Sequence, residues 1–193
     1  MLRVIAGSFR GRRLTAPRGR HTTRPTSDRV REACFSMLGA LGGTVALDLF
    51  AGTGALGIEA LSRGAERVVF VERDACALRA LRANLDALGL ASPRARVRVG
   101  DALGALRAAR EAGETYDLVF VDPPYGHARE IGGELGPLLS GLLAPEARVV
   151  VESDRRAPLA LALAVERERR YGDTVITIHR LGAEATEGED EHR

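Results

Sequence analysis

The fold is decided by the stretch Val45-Ala46-Leu47-Asp48-Leu49-Phe50-Ala51-Gly52-Thr53-Gly54-Ala55-Leu56-Gly57. Its first half is apolar and typical of a buried strand, while its second half contains the pattern Gly-x-Gly-x-x-Gly, which opens a helix in nucleotide-binding folds. Glycines suit such a turn because the backbone there must bend tightly and let a ligand approach closely. Since the pattern alone is weak, its meaning depends on the sequence around it.

Short apolar runs alternate with amphipathic segments on the carboxyl-terminal side of this stretch. The strands predicted from these runs cover residues 45–50, 67–71, 97–99, 118–121 and 148–151. Strands buried on both faces and separated by helices indicate a parallel sheet. Two further strands, 166–171 and 174–181, are joined only by Gly172-Asp173, which is too short for a parallel crossover. The sequence therefore predicts an α/β fold with a doubly wound, seven-stranded, mostly parallel sheet and an antiparallel C-terminal hairpin.

Charge is distributed unevenly along the 193 residues and divides the chain into three segments. Residues 1–31 contain nine arginines against Asp28 alone, whereas residues 183–193 contain one arginine against five acidic residues. We expect a basic extension over residues 1–25 with a short β-hairpin and a loop, one catalytic domain over 26–182, and a disordered acidic tail over 183–193. The first helix of the domain is predicted to begin after the capping residues Thr26, Ser27 and Asp28 and to continue to the glycine pair at 42–43.

Several classes of protein are disfavoured by composition. Hydrophobic residues make up 45% and charged residues 28% of the chain, a globular balance. No apolar run approaches the roughly 20 residues that cross a bilayer, and the basic start lacks the apolar segment of a secretory signal, so we expect no membrane association and a cytoplasmic location. Two cysteines make no disulfide framework, and four scattered histidines have no metal-ligand spacing, so no metal is expected. A chain of 20.6 kDa could act as a monomer.

Three carboxylates lie at or near the carboxyl ends of predicted strands, where open sheets bind ligands. Glu72 ends the second strand, about 20 residues after Gly52, where a carboxylate can accept both hydroxyls of a ribose. Asp101 follows the third strand and could accept from an adenine amine, although it could instead cap a helix. Asp48 precedes the glycines, which favours the ammonium of S-adenosylmethionine over the pyrophosphate of a dinucleotide. A dehydrogenase therefore ranks lower.

The most specific feature is Asp122-Pro123-Pro124-Tyr125, directly after the fourth strand. Two consecutive prolines donate no backbone hydrogen bonds and stiffen the turn, so its carbonyl groups are free to accept. An exocyclic amine has two N–H donors, one for the Asp122 carboxylate and one for the Pro123 carbonyl, while Tyr125 can stack on the base. Because such an amine is a poor nucleophile, these acceptors favour methyl transfer to nitrogen. The motif leaves RNA and DNA amines open as targets.

These motifs resemble the class I S-adenosylmethionine-dependent methyltransferases. The segments Arg24-Pro25-Thr26-Ser27-Asp28-Arg29-Val30-Arg31-Glu32 and Leu56-Gly57-Ile58-Glu59-Ala60-Leu61-Ser62-Arg63-Gly64-Ala65 are similar to the RsmD family of bacterial 16S rRNA guanine N2-methyltransferases. The resemblance implies a Rossmann-like fold, S-adenosylmethionine as cofactor, and 16S rRNA or a 30S assembly intermediate as partner. It implies target contacts at Asp122, Pro123, Pro124 and Tyr125, and cofactor contacts at Asp48, Phe50, Ala51, Gly52, Gly54, Glu72, Arg73, Asp101 and Ala102.

The family resemblance also gives the basic extension a role, because an enzyme that flips a base must hold the backbone around it. The arginines expected to contact phosphates are Arg10, Arg12, Arg13, Arg24, Arg29 and Arg31. The alternative is a solvated basic face that aids solubility. A non-catalytic RNA-binding module is a further alternative, which the intact glycine pattern disfavours.

Overall fold

The computed structural model describes residues 2–17, 27–90, 93–124 and 128–181, with the backbone alone for 128–130. Within these ranges the chain forms α1 (Asp28–Leu38), β1 (Val45–Asp48), α2 (Ala55–Ser62), β2 (Arg67–Glu72), α3 (Ala75–Ala87), β3 (Ala95–Val99), α4 (Ala102–Glu111), β4 (Tyr116–Val121), α5 (Ala128–Ser140), β5 (Leu143–Asp154), β6 (Ala164–Tyr171) and β7 (Thr174–Arg180). Arg24, Tyr125 and the acidic segment 183–193 lie outside the described residues.

The seven strands form one sheet in the order β3-β2-β1-β4-β5-β7-β6. Strands β1 to β5 run parallel to one another, while β7 is antiparallel to both β5 and β6. The doubly wound sheet and its antiparallel C-terminal hairpin are thereby confirmed. The strand order changes direction between β1 and β4: the chain proceeds from β1 to β2 and β3 on one side and from β4 to β5 on the other. Ligands of open α/β sheets bind in the crevice at such a switch point.

Capping residues determine where the helices begin. The Ser27 hydroxyl accepts from Val30 N at 3.3 Å, the Asp74 carboxylate accepts from two amides of α3, and Asp101 caps α4. The first helix ends at Leu38, earlier than the glycine pair that the sequence suggested, because Gly39 adopts a positive φ of 70°.

Two apolar layers enclose the sheet. One lies between the sheet and α1, α2 and α3, and the other lies between the sheet and α4 and α5. The strands alternate between the two layers, so neighbouring residues such as Phe120 and Val121 belong to different layers. No helix among the described residues is long and apolar enough to cross a membrane.

Residues 2–17, called here the N-terminal arm, form the predicted hairpin with a single antiparallel bridge between Arg3 and Arg13. The two sides of the hairpin share only this bridge and do not form full strands. Val4 and Leu14 are nevertheless buried in the same apolar layer as α1 and α2. The arm is therefore packed against the domain over this range, and Arg10, Arg12 and Arg13 on it are exposed.

Two polar side chains of α2 hold the backbone of the arm. The buried Glu59 carboxylate accepts from Ile5 N at 2.8 Å and Ala6 N at 3.0 Å. The Ser62 hydroxyl accepts from Phe9 N at 2.9 Å and donates to Ala6 O at 2.5 Å. Side chains of α2 therefore supply hydrogen-bond partners for the backbone groups of the arm.

Gly7 provides a direct test of this docking. Its φ is 81°, and a Cβ atom there would lie 1.8 Å from Ser62 O, whereas Gly11 has the same φ of 81° with nothing within 4 Å of its Cβ position. We expect Gly11→Ala to lower the free energy of unfolding by about 1 kcal/mol, and Gly7→Ala to lower it by roughly 2 to 4 kcal/mol because the arm must also move. Urea denaturation of both variants measures the difference, and equal losses would contradict the docking described here.

Candidate functional site

The glycine loop (residues 49–54) joins β1 to α2 at the switch point of the sheet. Gly54 has a φ of 80°, and a Cβ atom there would lie 2.4 Å from Leu81 Cδ1. Gly57 packs equally closely, with its Cβ position 2.3 Å from the Phe70 ring. A Cβ atom built on Gly52 would have Phe50 O as its nearest neighbour, at 3.9 Å, so the space beside Gly52 is open. Packing thus requires Gly54 and Gly57, while Gly52 leaves room for a ligand.

The loop is also fixed by its own backbone. The Ala51 amide donates to Val71 O at 3.0 Å, and the Gly54 amide donates to Ala51 O at 2.6 Å. Ala51 is buried and Phe50 is half-buried. The predicted cofactor residues of this segment therefore lie together on the turn between β1 and α2, which the Ala51 hydrogen bond joins to β2.

Asp48, at the end of β1, is a buried carboxyl group. Only 2% of Asp48 is exposed, and its carboxylate accepts from Gly57 N in the first turn of α2 at 3.0 Å. Burial raises the pKa of Asp48 to about 7, the Gly57 hydrogen bond opposes this, and the nearby Glu72 charge adds to it. A cationic ligand group beside Asp48 would favour its ionised form.

Glu72, at the end of β2, faces the glycine loop. One carboxylate oxygen accepts from Gly52 N at 2.8 Å. The other oxygen accepts from Arg73 N at 2.7 Å and Asp74 N at 2.8 Å. These bonds hold the half-buried carboxylate in one orientation, with lone pairs left for further donors, as a ribose contact would require. The Arg73 side chain is exposed.

Asp101 serves as the N-cap of α4, the alternative that the sequence left open. Its Oδ1 accepts from Gly104 N at 2.9 Å, and this bond is the main cause that lowers the pKa of Asp101. The side chain is exposed at the carboxyl end of β3, while Ala102 behind it is buried. Capping and ligand contact are compatible because a carboxylate has several lone pairs, so contact with an adenine amine stays a prediction.

The Asp122-Pro123-Pro124 turn begins directly after β4, the neighbour of β1. Phe120 lies opposite Asp48 in the sheet, and its carbonyl accepts from Leu49 N at 3.1 Å. Pro123 is buried, whereas Asp122 and Pro124 are half-buried. The turn therefore starts at the carboxyl edge beside the glycine loop, and the stacking role expected of Tyr125 lies outside the described residues.

Glu152 is a residue that the sequence reasoning missed. It follows Val151, which pairs with Val121 at the end of β4, so Glu152 and Asp122 occupy equivalent positions on neighbouring strands. Only 8% of Glu152 is exposed, and its charge contributes to the raised pKa of Cys34 on α1. The strand predicted from the sequence ended at Val151, and only the pairing of β5 with β4 shows that Glu152 lies beside Asp122.

Of the six arginines predicted to contact RNA, the structure describes five, which are either exposed or buried. Arg10, Arg12, Arg13 and Arg29 are exposed, and Arg12 Nη2 donates to Ala87 O at 2.8 Å. Arg24 lies outside the described residues. The prediction for Arg31 is corrected, since its side chain is fully buried and cannot reach a phosphate from this position.

Arg31 has a structural role instead. Its Nη2 donates to Arg3 O and to Asp28 Oδ1, and its Nε lies 4.0 Å from Glu59 Oε2. On the other side Arg63 Nε donates to Glu59 Oε1 at 2.7 Å. Burial lowers the pKa of Arg31, and the charges of Glu59 and Asp28 oppose this. These buried charges connect α1, α2 and the N-terminal arm.

Among the described residues no group of three or more potential metal ligands lies together.

The raised pKa of Asp48 predicts how stability depends on pH. Because its pKa is about 7 in the folded protein and about 4 in the unfolded chain, the native state binds the extra proton between these values. Wild-type stability should therefore fall as pH rises across this window, by about 1.4 kcal/mol per pH unit. Asp48→Asn keeps an acceptor for Gly57 N but cannot ionise.

Urea denaturation of the unliganded protein at pH 5, 6, 7 and 8 measures this effect. The stability of Asp48→Asn relative to wild type should rise steadily between pH 5 and 7 and level off above. Asp101→Asn is the matched control, since the pKa of Asp101 is lowered and the difference from wild type should stay nearly constant above pH 5. Parallel curves of stability against pH for wild type and Asp48→Asn would contradict a raised pKa for Asp48 in the folded protein.

The strand order, the glycine loop at the switch point and the carboxylates beside it define a class I methyltransferase fold. A solved structure from Escherichia coli, named "Putative methyltransferase yhhF", is similar with a TM-score of 0.79 and 37% sequence identity. The match covers 93% of this chain and 98% of that chain.

The chain belongs to the family described as "Conserved hypothetical protein 95", whose model matches residues 2–180. It is 40% identical over 188 residues to the Bacillus subtilis protein named "Putative rRNA methyltransferase YlbH", covering 93% of this chain and 98% of that protein. It is 36% identical over 195 residues to "Ribosomal RNA small subunit methyltransferase D" of Escherichia coli, covering 98% and 94% respectively. The resemblance to the RsmD family is thereby confirmed.

Proposed function

We propose that this protein methylates the exocyclic N2 amine of a guanine in 16S rRNA, using S-adenosylmethionine, during assembly of the small ribosomal subunit. The observation that carries the proposal is the position of the Asp122-Pro123-Pro124 turn on the strand next to β1 and its glycine loop. Membership of the family and the names of the full-length relatives support methylation of ribosomal RNA in particular. We further propose that the enzyme works in the cytoplasm as a monomer, without a metal.

The residues around the glycine loop fit S-adenosylmethionine. The Glu72 carboxylate, oriented by three amides, is suited to ribose hydroxyls, and Asp101 is suited to the adenine amine. The buried Asp48, whose ionised form a cationic ligand would favour, suits a sulfonium and an ammonium and opposes a pyrophosphate. When bound, the cofactor supplies a methyl group activated by the positive sulfur.

The chain's part in the reaction is to prepare and orient the amine. The Asp122 carboxylate accepts one N–H of the target amine and the Pro123 carbonyl accepts the other, so the nitrogen lone pair is directed towards the methyl group. Fixed acceptors also stabilise the positive charge that develops on nitrogen. Holding the reacting atoms in line makes the transfer effectively unimolecular, and no nucleophilic side chain is required.

Guanine is the base that best fits the acidic target side of the site. Its Watson–Crick edge presents N1–H beside the N2 amine, so that two neighbouring groups donate. Asp122 and Glu152 stand at equivalent positions on strands that lie about 5 Å apart, and carboxylates are acceptors when ionised. This arrangement supports N2 of guanine as the target, and the target nucleotide itself is taken from the family resemblance.

Asp122 provides the decisive test of the chemistry. Labelled methyl transfer from S-adenosylmethionine to 16S rRNA is measured on naked RNA and on 30S subunits from a strain that lacks the enzyme, followed by nucleoside analysis. We expect N2-methylguanosine with wild type and a loss of about 100-fold or more in rate with Asp122→Ala, comparable to removal of one stabilising group in a preorganised site.

The control for this experiment is Asp117→Asn at the opposite end of β4, where the carboxylate accepts from Val45 N at 2.8 Å. Its methylation rate should stay close to that of wild type. Intact methylation by Asp122→Ala would remove the turn from the mechanism. Methylation of DNA in a parallel assay, with none of RNA, would change the substrate.

The exposed arginines of the arm should bind RNA phosphates. Each phosphate contact contributes about 0.7 to 0.9 to the slope of log K against log salt. Replacing Arg10, Arg12 and Arg13 by Ser should therefore weaken RNA binding and reduce that slope by about 2 to 3. Filter binding to 16S rRNA at several salt concentrations measures both quantities.

A control of equal charge replaces Arg96, Arg107 and Arg110 by Ser. These three arginines are exposed and lie outside the arm, so the slope should change little. If both triple variants behave alike, the effect is one of overall charge, and the arm has no special role in binding.

A further inference from the structure

Asn84, in the last turn of α3, makes three hydrogen bonds to backbone outside its own helix. Its Oδ1 accepts from Thr15 N at 2.7 Å, while its Nδ2 donates to Thr15 O at 3.1 Å and to Thr53 O at 2.9 Å. Only 2% of Asn84 is exposed. The single acceptor atom and the donor group of this amide are thus both committed to backbone partners.

The two partners belong to different functional segments. Thr15 lies in the N-terminal arm, shortly after the exposed Arg10, Arg12 and Arg13. Thr53 lies in the glycine loop between Gly52 and Gly54, where the backbone approaches the cofactor pocket. One buried side chain therefore connects the backbone of the proposed RNA-binding arm to the backbone of the proposed cofactor loop.

The surroundings of Asn84 leave little freedom for the two segments to move separately. Leu81, one turn earlier in α3, packs directly against Gly54. A Cβ atom built on Gly54 would lie 2.4 Å from Leu81 Cδ1. Near the end of the same helix, Ala87 O accepts from Arg12 Nη2 of the arm at 2.8 Å. Helix α3 is thus packed against the loop at one point and bonded to the arm at another.

We propose that Asn84 is a positioning residue that makes RNA and S-adenosylmethionine bind cooperatively. RNA held by the arm fixes the backbone at Thr15, Thr15 fixes the Asn84 amide, and the amide holds Thr53 O and the glycine loop in the form that receives the cofactor. A ligand that orders a shared element lowers the entropy loss of the second ligand. This inference rests on the proposed function, since it requires both ligands.

The test measures coupling between the two sites, which must be the same in both directions. The dissociation constant of S-adenosylhomocysteine is measured with and without saturating 30S subunits from a strain that lacks the enzyme. We expect 30S subunits to tighten the binding about 5- to 50-fold for wild type, within the usual range for coupled sites. The ratio should fall to about 1 for Asn84→Ala.

Asn84→Asp is the second variant, because it keeps an acceptor for Thr15 N but loses the donors to Thr15 O and Thr53 O. It should also give a ratio of about 1. Ser62→Ala is the matched control, since it removes arm contacts at Phe9 and Ala6 without touching the loop. It should weaken binding of 30S subunits and keep the coupling ratio of wild type.

The outcomes separate this inference from the proposed function. A wild-type protein that methylates 30S subunits but shows a ratio of 1 overturns the inference alone, whether or not the variants fold. A wild-type ratio retained by either Asn84 variant, or lost equally in Ser62→Ala, also overturns it. Failure of wild type to bind 30S subunits or to methylate their RNA is failure of the proposed function.

Discussion

The buried carboxylate of Glu59 is the interaction on which the rest of the structure depends. It accepts two amides of the arm and one Arg63 donor, and it faces the fully buried Arg31. A buried charge is tolerated only when it is paired and hydrogen-bonded, so these partners must assemble together. Because Glu59 lies on the helix that follows the glycine loop, the same assembly fixes the arm, α1 and the beginning of the cofactor pocket.

The carboxyl edge of the sheet places similar side chains in unlike environments. Asp48 is buried and its pKa is raised to about 7, whereas the exposed Asp101 has its pKa lowered by a helix amide. Glu72 is held between them by three amides. The parallel strands bring these groups together, while burial raises the pKa of Asp48 and a helix amide lowers that of Asp101.

Sequence reasoning was most successful where a local pattern has a single physical cause. Alternating apolar runs required a doubly wound sheet, and the two-residue link at Gly172 required an antiparallel hairpin. It was wrong for Arg31, because an arginine at the end of a basic segment looks exposed until Glu59 is brought against it. It missed Glu152 and Asn84, whose neighbours are 30 or more residues away in the chain.

The order of strands and helices, the glycine pattern and the Asp122 turn could be predicted from the sequence, because each arises from residues close together in the chain. Tertiary structure alone decided which arginines face solvent, how the arm docks on α2 and which amide connects Thr15 to Thr53. Those features depend on contacts between distant segments, and burial, which sets both accessibility and pKa, exists only once the segments have packed.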